Sequence, residues 1–558
     1  MNINEKIILE IIDKKPQTKA DFDDTRRKVC GKLKTTQPSN RELLASYQNL
    51  LKKKRVKPDK QLELFMRKAG IRTLSGVAVV TSLTKPYACP GNCVYCPQET
   101  RMPKSYLSSE PAAARALNLK FDPYEQMVKR IDMLKKSSHP TDKIEYIIKG
   151  GSWNFYPLKY QYWFILESFR ACNNLTRHKK QKKYSKTLTI EKLQNNIEKE
   201  QKYNDKIAKH KIIGLTLETR PDLITPESIS HMRQMGCTRV ELGLQAPDDD
   251  ILKLTRRGHT VQQFKDAMFL LRQAGFKVDL HFMPDLPGST AKHDVEMYKS
   301  LFSDPGFKPD MVKIYPCTVI KSAPLYKWMK SGKYKPYSEK KLFEALIEMK
   351  SATPRYCRIS RLIRDIPAQD IEGGNIITNL REYLAKEMET RGLKCQCLRC
   401  REVGHINIKT LKHKNIKTLA PKLFVDKYET IGGDEYFLSF EDNKRQVVFA
   451  FLRLRIPSVI ARSEATKQSP ALLQLITEIK NSAFIRELHT YGQLLDVGKQ
   501  DKKASQHKGM GKKLILESEK ITRQNGFEKI AVISGVGVRG YYRKLGYRKI
   551  KTYMIKKI

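Results

Sequence analysis

The segment Cys89-Pro90-Gly91-Asn92-Cys93-Val94-Tyr95-Cys96 sets three cysteines in C-x3-C-x2-C spacing, shortly after the apolar run Gly76-Val77-Ala78-Val79-Val80. Three thiolates from one short loop can bind three irons of a 4Fe–4S cluster and leave the fourth iron without a protein ligand. An open iron can chelate the amino and carboxylate groups of S-adenosylmethionine and reduce it to a 5′-deoxyadenosyl radical; the protein holds and insulates the cluster while the cofactor supplies the chemistry. A structural zinc loop is the alternative, but it needs a fourth ligand nearby, and no Cys or His follows Cys96 until His139.

The chain around this loop reads as alternating strands and helices. From Gly76 to about Arg381, the apolar runs Ile144–Ile148, Ile212–Leu217, Arg239–Leu244, Phe276–Phe282 and Met311–Tyr315 are candidate parallel strands, with helical patterns such as Val261–Ala274 between them. This alternation implies an α/β fold with a parallel sheet, open or barrel-like, whose catalytic groups gather at the strand C-terminal ends. Residues 1–74 read as a basic helical module, 75–385 as the domain carrying the cysteine loop, 386–418 as a metal-binding linker and 419–558 as a second α/β domain. Two stretches, about 174–208 and about 457–473, lack a clear apolar pattern and read as surface insertions.

Charge narrows the partners. There are 106 Lys and Arg against 59 Asp and Glu, a net charge of +47, which points to a polyanion, nucleic acid first; a lysine-rich source composition is the plainer explanation. No uninterrupted apolar stretch approaches the ~20 residues of a membrane helix, and the N-terminus has no signal-peptide core. Six of the eleven cysteines fall in two tight clusters. A cytoplasmic enzyme with reduced thiols, acting away from the membrane, is expected.

Further motifs sit where strands end. Lys149-Gly150-Gly151-Ser152 closes one strand with two glycines, which let the backbone approach a ligand closely. Glu218 and Arg220, in Leu217-Glu218-Thr219-Arg220-Pro221-Asp222, either pair with the amino and carboxylate groups of the nucleoside cofactor or form a salt bridge of their own. Glu241, Gln245, His281 and Pro284 end two further strands, with packing roles as reasonable as ligand contact. Arg256-Arg257-Gly258-His259 reads as a basic loop that meets phosphate or solvent. Cys395, Cys397 and Cys400 suit tetrahedral zinc with His405 or Cys357 as fourth ligand, a structural site between the two large domains; a second iron–sulfur cluster is the minority reading. Near the end, Gln506-His507-Lys508-Gly509-Met510-Gly511-Lys512 opens a helix whose N-terminal amides suit a pyrophosphate. The later run Val538-Arg539-Gly540-Tyr541-Tyr542 completes an order that resembles the acyl-CoA-binding core of the GNAT N-acetyltransferases.

The combination resembles the catalytic subunit of the Elongator complex and its stand-alone bacterial and archaeal homologues. The shared stretches include Lys85-Pro86-Tyr87-Ala88-Cys89-Pro90, Cys93-Val94-Tyr95-Cys96-Pro97, Leu217–Asp222, Arg256-Arg257-Gly258-His259-Thr260, Arg486-Glu487-Leu488-His489-Thr490-Tyr491-Gly492 and Ile533–Val538. The resemblance implies a radical S-adenosylmethionine partial barrel fused to a GNAT-like domain, acting on the wobble uridine of tRNA. Acetyl-CoA then provides a carboxymethyl group for uridine C5: the deoxyadenosyl radical takes hydrogen from the acetyl methyl, the carbon radical adds to C5, and hydrolysis releases CoA. Cys89, Cys93 and Cys96 would hold the cluster, and Gly150, Gly151, Glu218 and Arg220 would meet S-adenosylmethionine. Lys143, Glu487, Leu488, His489, Thr490, Met510, Gly511, Lys512 and Tyr542 would bind acetyl-CoA, with Tyr541 and Tyr542 as the catalytic aromatic pair near the thioester. Gly150-Gly151-Ser152 departs mildly from the family's Gly-Gly-Thr. A homodimer is compatible with this reading, and accessory subunits are left open. The alternative function is a protein lysine acetyltransferase in which the radical domain is only structural; the strong basicity favours tRNA over cationic protein tails.

Overall fold

The apolar runs become strands because alternate side chains find an interior on both faces. The computed structural model describes residues 1–67, 73, 76–177, 188–403, 420–458, 479, 481–491 and 509–558. Strands β1 (Ala78–Leu83), β2 (Lys143–Lys149), β3 (Lys211–Thr219), β4 (Arg239–Gln245), β5 (Lys277–Phe282) and β6 (Met311–Ile314) follow one another in an all-parallel sheet. A short ribbon pairs β7 (Val319–Ile320) with β9 (Ile371–Gly373), and β8 (Arg358–Arg361) joins β6 as the seventh strand. The sheet order β1-β2-β3-β4-β5-β6-β8 is that of an open half-barrel. Val80, Ile144, Leu217, Leu242, Leu280 and Val312 are fully buried in its core. Each such side chain contributes on the order of 1.5–3 kcal/mol when taken from water.

The second sheet has the order β10-β11-β12-β13-β14-β16-β15. An antiparallel meander of β10 (Lys422–Thr430), β11 (Gly433–Glu441), β12 (Val448–Pro457) and β13 (Ser482–Thr490) leads to β14 (Lys529–Val532), which lies parallel to β13 over its first residues. β15 (Arg548–Ile550) and β16 (Tyr553–Lys557) complete it. The β13–β14 pairing stops at Ile485↔Val532, while the later residues of β13 stay paired with β12 as far as Ala450↔Thr490. The helix Met510–Gln524, expected from Lys512 to Asn525, packs its Leu514, Ile515 and Ile521 face against this sheet.

A cluster of buried ions locks the two sheets together. Asp310, just before β6, accepts from Arg486 of β13 at 2.8 and 2.5 Å. Arg486 also bonds Glu435 of β11 at 2.9 Å, and Glu435 accepts from Arg272 at 2.9 Å. Burial disfavours the Asp310 carboxylate, but Arg486, Arg272 and Arg453 hold its pKa well below the ordinary carboxylate value. Removing one member would strand buried charge at a cost of about 3–5 kcal/mol.

Four helices, Ile3–Asp13, Lys19–Lys32, Asn40–Lys52 and Lys60–Met66, form the N-terminal module around their own core of Ile7, Phe22, Leu43, Tyr47 and Phe65. Capping boxes Asn2/Glu5 and Ser39/Glu42 start the first and third.

One expectation needs correcting. Part of the polar stretch read as a surface insertion over 174–208 is the helix Ile190–Lys206, packed on Leu158–Arg177 with Leu193 and Ile197 buried. Its polar residues Glu200 and Asn204 are interior because they meet Asn173 of the neighbouring helix: Asn173 Nδ2 donates to Glu200 Oε2 at 2.6 Å, and Asn204 Nδ2 to Asn173 Oδ1 at 2.9 Å. The second expected insertion lies outside the described residues except for Pro457 and Ser458. Among the described residues no helix is long and apolar enough to cross a membrane.

Candidate active site

A cavity of about 1200 Å³ runs through the half-barrel and reaches the second sheet. At one end it is lined by Cys89, Cys93 and Cys96, and at the other by Glu487, Leu488, His489 and Tyr542. The cysteine loop is pinned from three directions: the Val94 amide donates to Thr255 O at 3.1 Å, the Leu325 amide to Val94 O at 2.8 Å, and the Gln98 amide to Ser322 O at 3.2 Å. Backbone fastening lets the thiols face the cavity without the loop needing a core of its own.

Arg257 stands behind the loop. It is buried, donating from Nη2 to Gly243 O at 2.7 Å and from Nη1 to Cys93 Sγ at 3.7 Å. The hydrogen bond from Cys96, and then the Arg257 charge, hold the Cys93 thiol pKa well below its ordinary range. Cys89 Sγ lies 3.9 Å from Ser152 Oγ. Three thiols on one cavity wall, one biased to thiolate by its neighbour Cys96 and then by the buried Arg257, are the donor set that a 4Fe–4S cluster requires. The residues therefore fit that group.

The expected basic surface loop at Arg256–His259 is thus corrected for two of its members. Arg257 and His259 point inward, and His259 Nε2 lies 3.1 Å from Gly243 O. Burial and the neighbouring Arg257 push the His259 pKa down to about 4. The carbonyl of Gly243 draws both side chains in, a tertiary attraction with no sequence signature.

Gly150 and Gly151 have φ of +129° and +94°, conformations that favour glycine. A β-carbon on Gly150 would stand 2.0 Å from Thr84 Oγ1, so this glycine serves the close approach of the C-terminal ends of β1 and β2, whereas Gly151 faces the cavity. Glu218 and Arg220 do not pair with each other. Glu218 accepts from Tyr106 Oη at 2.9 Å; Arg220 Nε donates to Asp222 at 2.9 Å and its Nη2 to Gly258 O at 3.2 Å. Arg220 Nη1 has no hydrogen-bond partner and is aimed under Gly91, where a β-carbon would stand only 2.2 Å from it.

The half-barrel interior holds a charged group built on Glu241 and His281, for which the sequence leaves packing and ligand contact both open. Glu241 of β4 is ion-paired with Lys313 of β6, lies 3.6 Å from both Lys149 and His281, and Lys313 Nζ lies 3.2 Å from His281 Nε2. Burial opposes the Glu241 charge, and Lys149 and Lys313 outweigh it, holding its pKa well below the ordinary value. Ligand atoms of Glu218, Glu241 and His281 come within 4.8 Å of one another, but the two ammonium groups already neutralise this set. Lys149 and Lys313 carried a findable signal: Lys149 ends the apolar run of β2 and Lys313 interrupts that of β6.

At the other end, the bulged β12–β13 pairing presents Glu487, Leu488 and His489. Glu487 accepts from Lys277 Nζ at 3.1 Å and Arg453 Nε at 2.9 Å; burial works against its charge, yet these cations hold its pKa down at about 2. His489 stacks on Phe451 at 5.8 Å, and its Nε2 is buried without a hydrogen-bond partner. Gly511 opens its helix where a β-carbon would stand 3.0 Å from Tyr541 Oη and 3.4 Å from Thr490 Cγ2. Thr490, Gly511 and Tyr541 are thereby gathered at one spot, with Met510 buried and Lys512 exposed beside them. Tyr542 is buried against Tyr541 at 5.4 Å. Lys143 stands apart, exposed at the start of β2 and outside the cavity lining. Gln506, His507 and Lys508 lie outside the described residues.

The sulfurs of Cys395, Cys397 and Cys400 fall within 4.8 Å of one another, as a bound metal ion requires. Neighbouring residues tie this cluster to both sheets: the Leu398 amide donates to Cys357 O at 2.9 Å, and the Arg401 side chain donates from Nη1 to Glu441 Oε2 at 2.7 Å. The Cys357 thiol is buried close by, and His405 lies outside the described residues.

Known proteins resemble this chain in sequence and fold. Residues 84–301 match the model of the Radical SAM superfamily, and residues 309–390 that of the Radical_SAM C-terminal domain. The chain is 42% identical to the tRNA uridine(34) acetyltransferase of Methanocaldococcus jannaschii over 93% of its own length and 90% of the relative's. It is 38% identical to human Elongator complex protein 3, covering 87% and 85% of the two chains. The solved structure of archaeal Methanocaldococcus infernus Elp3 with an N-terminal deletion superposes with a TM-score of 0.69 at 38% identity, over 87% of this chain and all of that one.

Proposed function

The chain belongs to the radical SAM family that contains Elongator complex protein 3 and the tRNA uridine(34) acetyltransferases, and from that premise we propose that it modifies the wobble uridine of tRNA, using acetyl-CoA to build a carboxymethyl group at C5. The observation that carries this reading is the single cavity, lined at once by the three loop cysteines and by Glu487, Leu488, His489 and Tyr542. An enzyme that transferred acetyl groups to protein lysines would have no use for the first end of that cavity.

When bound, a 4Fe–4S cluster with S-adenosylmethionine supplies radical initiation, and acetyl-CoA supplies the two-carbon unit. The chain's own residues prepare the space. Cys89, Cys93 and Cys96 are the cluster ligands, and Arg257 offsets their negative charge. Gly151 lets the backbone approach the amino group of the nucleoside cofactor, and Glu218, oriented by Tyr106, is a counter-charge beside it. Lys149, Lys313, Glu241 and His281 form a polar wall whose charges compensate, so the interior holds a reactive species away from bulk water. Glu487, clamped by Lys277 and Arg453, stays ionised at neutral pH and fixes the bulged strand rather than moving protons. Gly511 lets its helix start close against Tyr541 and Thr490, and the amides that open this helix suit an anionic group of acetyl-CoA. The second cysteine cluster, holding zinc, ties the two sheets. Exposed lysines engage tRNA phosphates, and the reduced thiols suit the cytoplasm.

The test is anaerobic incubation of the reconstituted protein with tRNA, S-adenosylmethionine and acetyl-CoA, followed by nucleoside mass spectrometry. A carboxymethylated uridine that requires both small molecules is expected. Acetylated protein with unmodified tRNA would overturn the reading.

A further inference from the structure

Beside the cysteine loop lies a ladder of aromatic rings that the chemistry above does not use. Tyr87 stacks on Tyr156 at 5.0 Å and 29°, Tyr156 on Tyr160 at 5.2 Å and 25°, and Tyr160 meets Trp163 at 5.7 Å. Phe155 adds a ring 6.1 Å from Tyr87. The inner rungs are anchored: Tyr156 is buried, its Oη lying 2.7 Å from Lys85 O and 2.8 Å from Gly150 O, and the Lys85 amide donates to Tyr160 Oη at 3.1 Å. The outer rungs are not covered: Tyr87 is 41% and Phe155 36% exposed. An exposed ring normally moves freely; Tyr87 instead rests on a fixed stack.

The position is informative. Tyr87 lies two residues before Cys89 and Phe155 three after Ser152, and Cys89 and Ser152 both line the cavity with their side chains 3.9 Å apart. Two exposed lysines flank the rings, Lys85, whose Nζ sits 5.1 Å over Tyr160, and Lys159. Pre-positioned aromatic faces beside cations are how proteins take up unpaired bases, because every base has a π-face and every nucleotide a phosphate. A base that enters an enclosed site must leave its stack, and its neighbours lose a stacking partner in the process.

We propose that Tyr87 and Phe155 form a stacking platform for unpaired RNA bases next to the one that enters the cavity. This deepens the tRNA reading and rests on it. The platform replaces the stacking lost when the target base is extruded, and it recognises bases by their faces, independent of sequence.

The test uses the full-length, anaerobically reconstituted protein and an anticodon stem-loop RNA carrying 2-aminopurine beside the wobble uridine. The wild-type protein should quench the fluorophore by stacking. The Tyr87→Ala/Phe155→Ala variant should lose the quenching and bind this RNA roughly ten-fold or more weakly, at an iron content equal to wild type. Tyr87→Leu/Phe155→Leu, which keeps Tyr156 covered, should fail in the same way, and Tyr87→Trp/Phe155→Trp should restore both signals. Wild-type affinity and quenching in the Ala and Leu variants would overturn the proposal. So would unchanged RNA affinity with an altered oligomeric state, which would reassign the rings to a protein contact. The parent reading fails separately: ring-dependent quenching by a wild-type protein that makes no modified uridine would keep the platform and discard the proposed chemistry.

Discussion

The two cysteine clusters have almost the same composition and opposite surroundings. Cys89, Cys93 and Cys96 line the end of a large cavity, with Arg257 behind them and Cys89 turned toward Ser152. Cys395, Cys397 and Cys400 already converge on one another, and residues beside them reach both sheets, Leu398 through the Cys357 carbonyl and Arg401 through the Glu441 carboxylate. A ligand set that leaves open space beside it can take a further reactant; one stitched between two sheets can only hold them. The difference lies in what surrounds the sulfurs, not in the sulfurs.

The largest effect that could break this contrast is on turnover. Cys93→Ala should abolish iron and sulfide loading and all tRNA modification, while thermal stability and RNA affinity stay close to wild type. A variant that still modifies tRNA would remove the first cluster from the chemistry. Cys397→Ala should do the reverse. It should lower stability on the order of 4 kcal/mol, as loss of a structural metal does, release one metal equivalent by elemental analysis, and leave iron at the first cluster. If Cys397→Ala instead lost activity at unchanged stability, the two clusters would share one role.

The smallest effect sharpens the picture of the shell behind the first cluster. His259 is held neutral, with its pKa depressed to about 4 by burial and by Arg257. Above pH 6.5 both folded and unfolded chains carry it neutral and it costs nothing. As pH falls from about 6.5 toward 4, the unfolded chain takes up a proton that the folded chain refuses, and stability declines on the order of 2–3 kcal/mol. His259→Gln should flatten that part of the stability–pH curve, measured by chemical denaturation across this range. An identical slope in the variant would place the titration elsewhere.

Legibility followed local chemistry. The runs at Ile144, Ile212, Arg239, Phe276 and Met311 announced their strands because a strand buried on both faces must be apolar along its length. β8 gave no such signal: of Arg358-Ile359-Ser360-Arg361 only Ile359 is apolar, because Arg358, Ser360 and Arg361 line the cavity. The helix Ile190–Lys206 gives no apolar signal for a related reason, since Glu200 and Asn204 are buried by satisfying Asn173 rather than by being apolar. Glu218 and Arg220 stood out as a charged pair, but which partners they take, Tyr106 and Asp222, depended on loops distant in sequence or folded back.

By itself the sequence determined the chemistry available to this protein: the two sets of sulfur donors, the parallel strands, the glycines at Gly150, Gly151 and Gly511, and the excess of positive charge. These follow from residue type and short-range spacing, which backbone geometry translates almost directly. Only the tertiary structure decided that Arg257 and His259 face inward, that Asp310, Glu435 and Arg486 fuse the two sheets, and that one cavity joins Cys93 to Tyr542. Buried charges are stable only where opposite charges or carbonyls from distant segments meet them, and that meeting is a property of the folded chain.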